Sequence, residues 1–120
     1  MMTSGIFIRK THKSDYLNIK FSAMIIVHDI FICKPGNASK LAKLFKEVMT
    51  ESKDFVSVMT DMTGQYNRVI MVSQFDNLTA YEKSWEEQKA NEELMKKMKE
   101  KMSGYHEMYM TGSREIYQVW

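Results

Sequence analysis

Met-Ile-Ile-Val-His-Asp-Ile-Phe-Ile-Cys, residues 24–33, is apolar on both faces when read with the two-residue period of a strand. One face carries Met24, Ile26, His28, Ile30 and Ile32, the other Ile25, Val27, Asp29, Phe31 and Cys33. A β-favouring segment with neither side polar belongs in the middle of a sheet covered on both surfaces. One layer of helices covers only one of them, so the other needs a different cover.

The sequence on the C-terminal side supplies the rest of that sheet. Lys34-Pro35-Gly36-Asn37 reads as a loop, and Asn37 or Ser39 as the N-cap of a helix running to about Ser52. Leu41, Leu44, Phe45, Val48 and Met49 make its core stripe, while Lys40, Lys43, Lys46, Glu47 and Glu51 face water. Phe55 to Met62 and Tyr66 to Phe75 read as two strands. A two-residue Gly64-Gln65 loop puts Thr63 opposite Tyr66, Asp61 opposite Arg68, Met59 opposite Ile70 and Ser57 opposite Val72. An opposite-charge pair thus falls out of the register. Asp76 or Asn77 caps a second helical region with Leu78, Tyr81 and Trp85 at helical spacing, and the polar Glu86 to Asn91 is its expected bend. Thr111-Gly112-Ser113 is expected to break the helix ahead of an alternating last strand, Arg114 to Trp120.

The resulting order is βαββαβ. Right-handed crossovers in that order give an α+β, ferredoxin-like fold, a four-stranded antiparallel sheet with two helices on one face and the first strand central. The helix-free face would stay apolar and bare, so two copies are expected to pair their sheets in a two-fold homodimer.

Composition narrows the class. The 120 residues suit one domain, and 44% hydrophobic with 27% charged residues is ordinary for a globular chain. A net charge of +2 gives no reason to expect nucleic acid as a partner, and no apolar run approaches membrane-spanning length. The single cysteine, Cys33, lies in the apolar strand, which fits a reduced thiol and a cytoplasmic protein. Residues 1–22 read as an N-terminal extension with two strand-like pieces, Ile6-Phe7-Ile8 and Leu17 to Phe21, that could clasp a sheet edge. The domain proper is 23–120.

Three segments, Phe31-Ile32-Cys33-Lys34-Pro35-Gly36, Asp76-Asn77-Leu78-Thr79-Ala80-Tyr81-Glu82 and Gly112-Ser113-Arg114-Glu115-Ile116-Tyr117, resemble the dimeric α/β-barrel superfamily, nearest to its NIPSNAP-like members. The resemblance covers about Met24 to Trp120 and rests on turns and strand ends. It implies a dimeric α/β barrel, and it spans cofactor-free monooxygenases, haem-binding enzymes, isomerases and proteins of no assigned role. No residue set here matches the catalytic pattern of one branch.

His28 is the candidate catalytic residue, because an imidazole within a buried strand can act as a base or ligate haem. The plainer reading is a core histidine with a hydrogen-bond partner. Tyr66, Arg68, Asp61, Tyr81, Trp85 and Tyr117 are the candidate pocket residues: the aromatics suit a flat apolar or aromatic ligand, and the Asp61 and Arg68 pair could orient a polar group. Against this stand an ordinary aromatic core and a structural ion pair. His28, Cys33 and His106 lack metal-ligand spacing, so no metal is expected, and no cofactor apart from the haem alternative at His28. His106 suits terminal carbonyls of a helix. No phosphate loop, nucleophile elbow or paired-carboxylate signature is present. Two readings result: a small-molecule-binding dimer, as a cofactor-free monooxygenase-like or isomerase-like enzyme, or a non-enzymatic homodimeric assembly or interaction protein.

Overall fold

In the computed structural model, which describes residues 24–120, the apolar stretch forms β1 (Ile25–Cys33), an inner strand. The N-terminal extension and its strand-like pieces lie outside the described residues. The chain continues through α1 (Ala38–Met49), β2 (Phe55–Thr60), β3 (Arg68–Phe75), α2 (Leu78–Ala90), α3 (Glu92–Lys101), a 3-10 turn (Tyr105–Glu107) and β4 (Tyr109–Gln118). The sheet is four-stranded and antiparallel in the order β2-β3-β1-β4, so this is the ferredoxin-like α+β arrangement with β1 central.

Strand parity decides what each β1 side chain meets. Ile25, Val27, Phe31 and Cys33 pack with the helices, around buried Leu41 and Phe45 of α1 and around Phe75, Ala80 and Tyr81. Burying a leucine such as Leu41 contributes about 1.5–3 kcal/mol, which makes α1 the main clamp on this face. Ile26, His28, Ile30 and Ile32 point to the opposite surface, where Ile70, Val72 and Met59 continue the apolar patch across β3 and β2. No helix of the described residues covers that surface. Ser57, Gln74, Thr111, Ser113 and Glu115 stand at its polar margin, set there by the same pairing.

The hairpin keeps the expected register, with Ser57 opposite Val72, Met59 opposite Ile70 and Thr60 opposite Val69. Its connection is longer than the expected Gly64-Gln65 turn. The ladder closes at Thr60, and the chain reverses through Gly64 (φ 101°) and Asn67 (φ 63°) before β3 begins at Arg68. Met62, Thr63, Tyr66 and Asn67 are therefore loop residues, not ladder pairs. The Asp61 carboxylate accepts from the Arg68 backbone N–H at 2.7 Å, which pins the end of the ladder without an ion pair between the two side chains.

The second helical region divides at Asn91. Asn77 Oδ1 accepts from Ala80 N–H and Asn91 Oδ1 from Leu94 N–H, so each helix has its own side-chain cap, each worth about 1 kcal/mol. Helices α1 and α3 are also joined at the surface by Lys101 and Glu47, 2.6 Å apart. Helix α3 ends at Lys101, ahead of Gly104 (φ 79°) and earlier than Thr111-Gly112-Ser113 suggests, and β4 starts at Tyr109. Gly112 lies within the strand for a packing reason. A Cβ there would stand 3.4 Å from the Ile30 carbonyl oxygen and 3.6 Å from the Phe31 ring, which fills the space over it.

Candidate functional site

The helix-facing side of β1 has one break in its apolar run, Asp29. Antiparallel pairing sets Asp29 opposite Met71 of β3 and opposite Arg114 of β4. Arg114 shares a face with Asp29, and its Nε donates to Asp29 Oδ1 at 2.5 Å. The Asp29 side chain is 14% exposed and that of Arg114 45%. The carboxylate thus depends on this partner more than the guanidinium does, since a buried charge left alone costs several kcal/mol. The hydrogen bond to Asp29 raises the Arg114 pKa, and nearby Tyr81 adds to the rise.

Above this pair the helices leave a cavity of about 250 Å³. Phe31, Met71 and Ser73 of the sheet form its floor, and α1, α2 and α3 contribute Phe45, Trp85 and Met98 to its walls. The Arg114 guanidinium lies 5.1 Å from the centroid of the Trp85 ring, in cation–π range. Trp85 meets Tyr81 edge-on at 6.1 Å, and Tyr81 meets Phe75 at 5.0 Å. These contacts hold one aromatic wall of the cavity in place. The Tyr81 hydroxyl is buried and has no hydrogen-bond partner among the described residues. An unpaired buried donor costs about 1–3 kcal/mol.

Asp54 lines both this cavity and a shallower, polar depression beside it. Burial raises its pKa, with smaller opposing and reinforcing effects from Lys53, Glu87 and Asp76. Between the unfolded and folded pKa values the folded chain holds the proton that the unfolded chain has lost, so stability falls as pH rises through that window. Asp54→Asn is accordingly expected to raise the urea midpoint modestly at pH 7. The gain should vanish near pH 3, and an equal gain at both pH values would contradict it.

Of the residues expected at a pocket, Tyr81 and Trp85 line this one. His28 and Tyr117, expected beside Trp85, do not. His28 adjoins Asp29 in sequence and Tyr117 lies three positions beyond Arg114, so both have the opposite strand parity and emerge on the helix-free surface. There the two rings meet edge-on at 5.2 Å, and the Tyr117 hydroxyl donates to Glu115, which raises the tyrosine pKa. Asp61 and Arg68 sit at the hairpin end, and Tyr66 is 83% exposed in its loop. No cavity-lining residue is a histidine or cysteine, so haem would find no imidazole or thiolate donor in this space. Among the described residues no group of three or more His, Cys, Asp or Glu side chains is placed to hold a metal ion. Cys33 is fully buried, and burial raises its pKa.

The pair that defines the site, Asp29 and Arg114, is not identifiable from the sequence. A trace of it is present, since one carboxylate interrupts an otherwise apolar strand face and must find a cation. Which cation depends on a register between residues 85 apart.

No protein-family model matches the chain, and no curated protein matches it in sequence. Solved structures do resemble it. A NIPSNAP family protein from Agrobacterium tumefaciens superposes with a TM-score of 0.68 at 12% identity, covering 94% of this chain and 92% of that one. A NIPSNAP-like domain protein from Burkholderia xenovorans gives 0.67 at 13% identity, over 82% and 87% of the two chains. A second Agrobacterium tumefaciens NIPSNAP family protein, of unknown function, gives 0.64 at 13% identity, over 82% and 89%. At such identities the likeness is one of fold. No helix of the described residues is long and apolar enough to cross a membrane.

Proposed function

We propose, from the fold shared with NIPSNAP-like structures, that this chain is a homodimeric small-molecule-binding protein whose ligand occupies the cavity above Asp29 and Arg114. The observation that carries the reading is a cavity of about 250 Å³ with a guanidinium oriented by Asp29 inside a mostly apolar wall. Few, fixed polar groups within apolar walls are what small-ligand sites consist of. A cofactor-free isomerase-like or monooxygenase-like activity fits such a site, with Arg114 available to hold a developing negative charge on an oxygen. The buried thiol of Cys33 supports a cytoplasmic setting.

The helix-free surface, where Ile26, Ile32 and Ile70 are half-buried and Met59 and Tyr117 exposed, supports pairing with a second copy. It also favours the other reading, a protein that works only through its assembly. Trp emission separates the two. A small naphthalene ligand is expected to change the emission of the full chain and of Trp120→Phe but not of Trp85→Phe, because Trp85 borders the cavity and Trp120 is fully exposed. A response that survives in Trp85→Phe, or none at all, would leave assembly as the function.

A further inference from the structure

Three charged side chains line the cavity: Asp29, Asp54 and Arg114. Asp29 and Arg114 are committed to each other, and the Arg114 guanidinium also lies against the Trp85 ring. Asp54 belongs to neither ion pair of the described residues, Arg114 with Asp29 or Lys101 with Glu47. It is half-buried, and its carbonyl accepts from the Gln74 N–H at 2.9 Å, which fixes its backbone against β3. The cavity therefore holds two carboxylates against one guanidinium, and the surplus negative charge is at Asp54.

Shared walls locate the opening. Asp54, Phe75 and Ser84 line both the cavity and the polar depression, and Asp54 with Ser52 and Gln88 lines a further outer hollow. Phe31, Phe45 and Met71 line neither outer space. Asp54 thus stands at the edge of the cavity that meets solvent, ahead of a mostly apolar interior. Burial raises the Asp54 pKa; Lys53 outside the opening lowers it, and Glu87 and Asp76 raise it. A cation beside Asp54 offsets the desolvation and the repulsion, whereas an anion adds to both.

From this placement we infer that the ligand is an apolar amine, with its ammonium at the Asp54 carboxylate and a flat hydrocarbon body against Phe31, Met71 and Trp85. This ligand class rests on the proposed role of the cavity as a ligand site. Aromatic walls select the flat body. The pairing of Arg114 with Asp29 stays intact.

Three probes of one skeleton test this by calorimetry on the full chain at pH 7: naphthylmethylamine, a cation at this pH, naphthylmethanol, which is neutral, and the anion naphthoate. The amine should bind about 5- to 10-fold tighter than the alcohol, as for a charge-assisted hydrogen bond at a half-buried carboxylate, and tighter than naphthoate. Asp54→Asn, checked for native near-UV circular dichroism, should bring amine and alcohol to within about 2-fold of each other and leave the alcohol affinity unchanged. Glu87→Gln, at a residue that lines the outer spaces and not the cavity, should lower the preference for the amine less than Asp54→Asn does. An equal or larger loss in Glu87→Gln would put the ammonium outside the cavity and overturn the assignment to Asp54. Equal binding of amine and alcohol to the parent chain, or tighter binding of naphthoate, would overturn the amine class while the cavity still stands as a ligand site. Failure of all three probes to bind would remove the cavity reading and this inference together.

Discussion

Leu41→Ala is expected to lower the unfolding free energy by about 2–5 kcal/mol, a large part of the 5–15 kcal/mol typical of a domain. Leu41 has no exposed surface and packs with Cys33, Phe45 and Val69, so truncation leaves a void between α1 and the centre of the sheet. Neighbouring Phe31 and Phe45 are held against each other at 5.0 Å and are poorly placed to collapse into it. The range reflects how far such a site can relax. Urea denaturation of Leu41→Ala and of Met95→Ala gives the comparison, because Met95 is 43% exposed and its truncation should cost no more than about 0.5 kcal/mol. Similar losses for the two variants would show that α1 is not the clamp described.

Ile70→Glu is expected to convert the proposed dimer to monomer. Ile70 lies opposite Ile30 on one side and Met59 on the other, in the middle of the apolar helix-free surface. Two-fold pairing of that surface would bring a carboxylate from each subunit into a water-excluded interface, where unpaired charge costs several kcal/mol. Sedimentation at low micromolar concentration should show a dimer for the parent chain and a monomer for the variant. Met59→Glu repeats the test at a side chain 42% exposed in the single chain, where the fold itself has little to lose. A parent chain that sediments as a monomer with this face in solvent would remove the dimer.

Much of the fold is readable from sequence because its determinants are local. The two-faced apolar pattern of residues 24–33 requires a central strand wherever it is placed, and β1 is central. A turn centred on Gly64 and Gln65 is enough for the β2 and β3 register, even though the connection is longer than two residues. That register survives because ladder pairing depends on the sum of positions, which a longer loop with the same centre preserves. Gly112 misleads for the converse reason. Its lack of a side chain looks like a helix breaker, whereas the structure uses it to admit the Phe31 ring.

The site is less readable than the fold. Alternation divides β1 into two sets, but which set meets the helices depends on how the crossovers lie, and that choice sends His28 away from the cavity and Asp29 into it. Tyr81 and Trp85 are legible because helical spacing alone puts them on one face of α2. Arg114 requires the β1 and β4 register, which no short stretch encodes.

The division of the helical region at Asn91 has a kinetic meaning. Helix α3 buries no residue fully, carries its own cap at Asn91, and is followed by a left-handed glycine at position 104. Its surface tie to α1 is an exposed ion pair, which contributes little. Such a segment can open as a small cooperative unit while the sheet stays intact. Amide hydrogens of Glu92–Lys101 should then exchange with solvent well before those of β1, and the cavity wall at Met98 would open with them. Entry to the cavity would then be set by the melting of one short helix instead of by global unfolding.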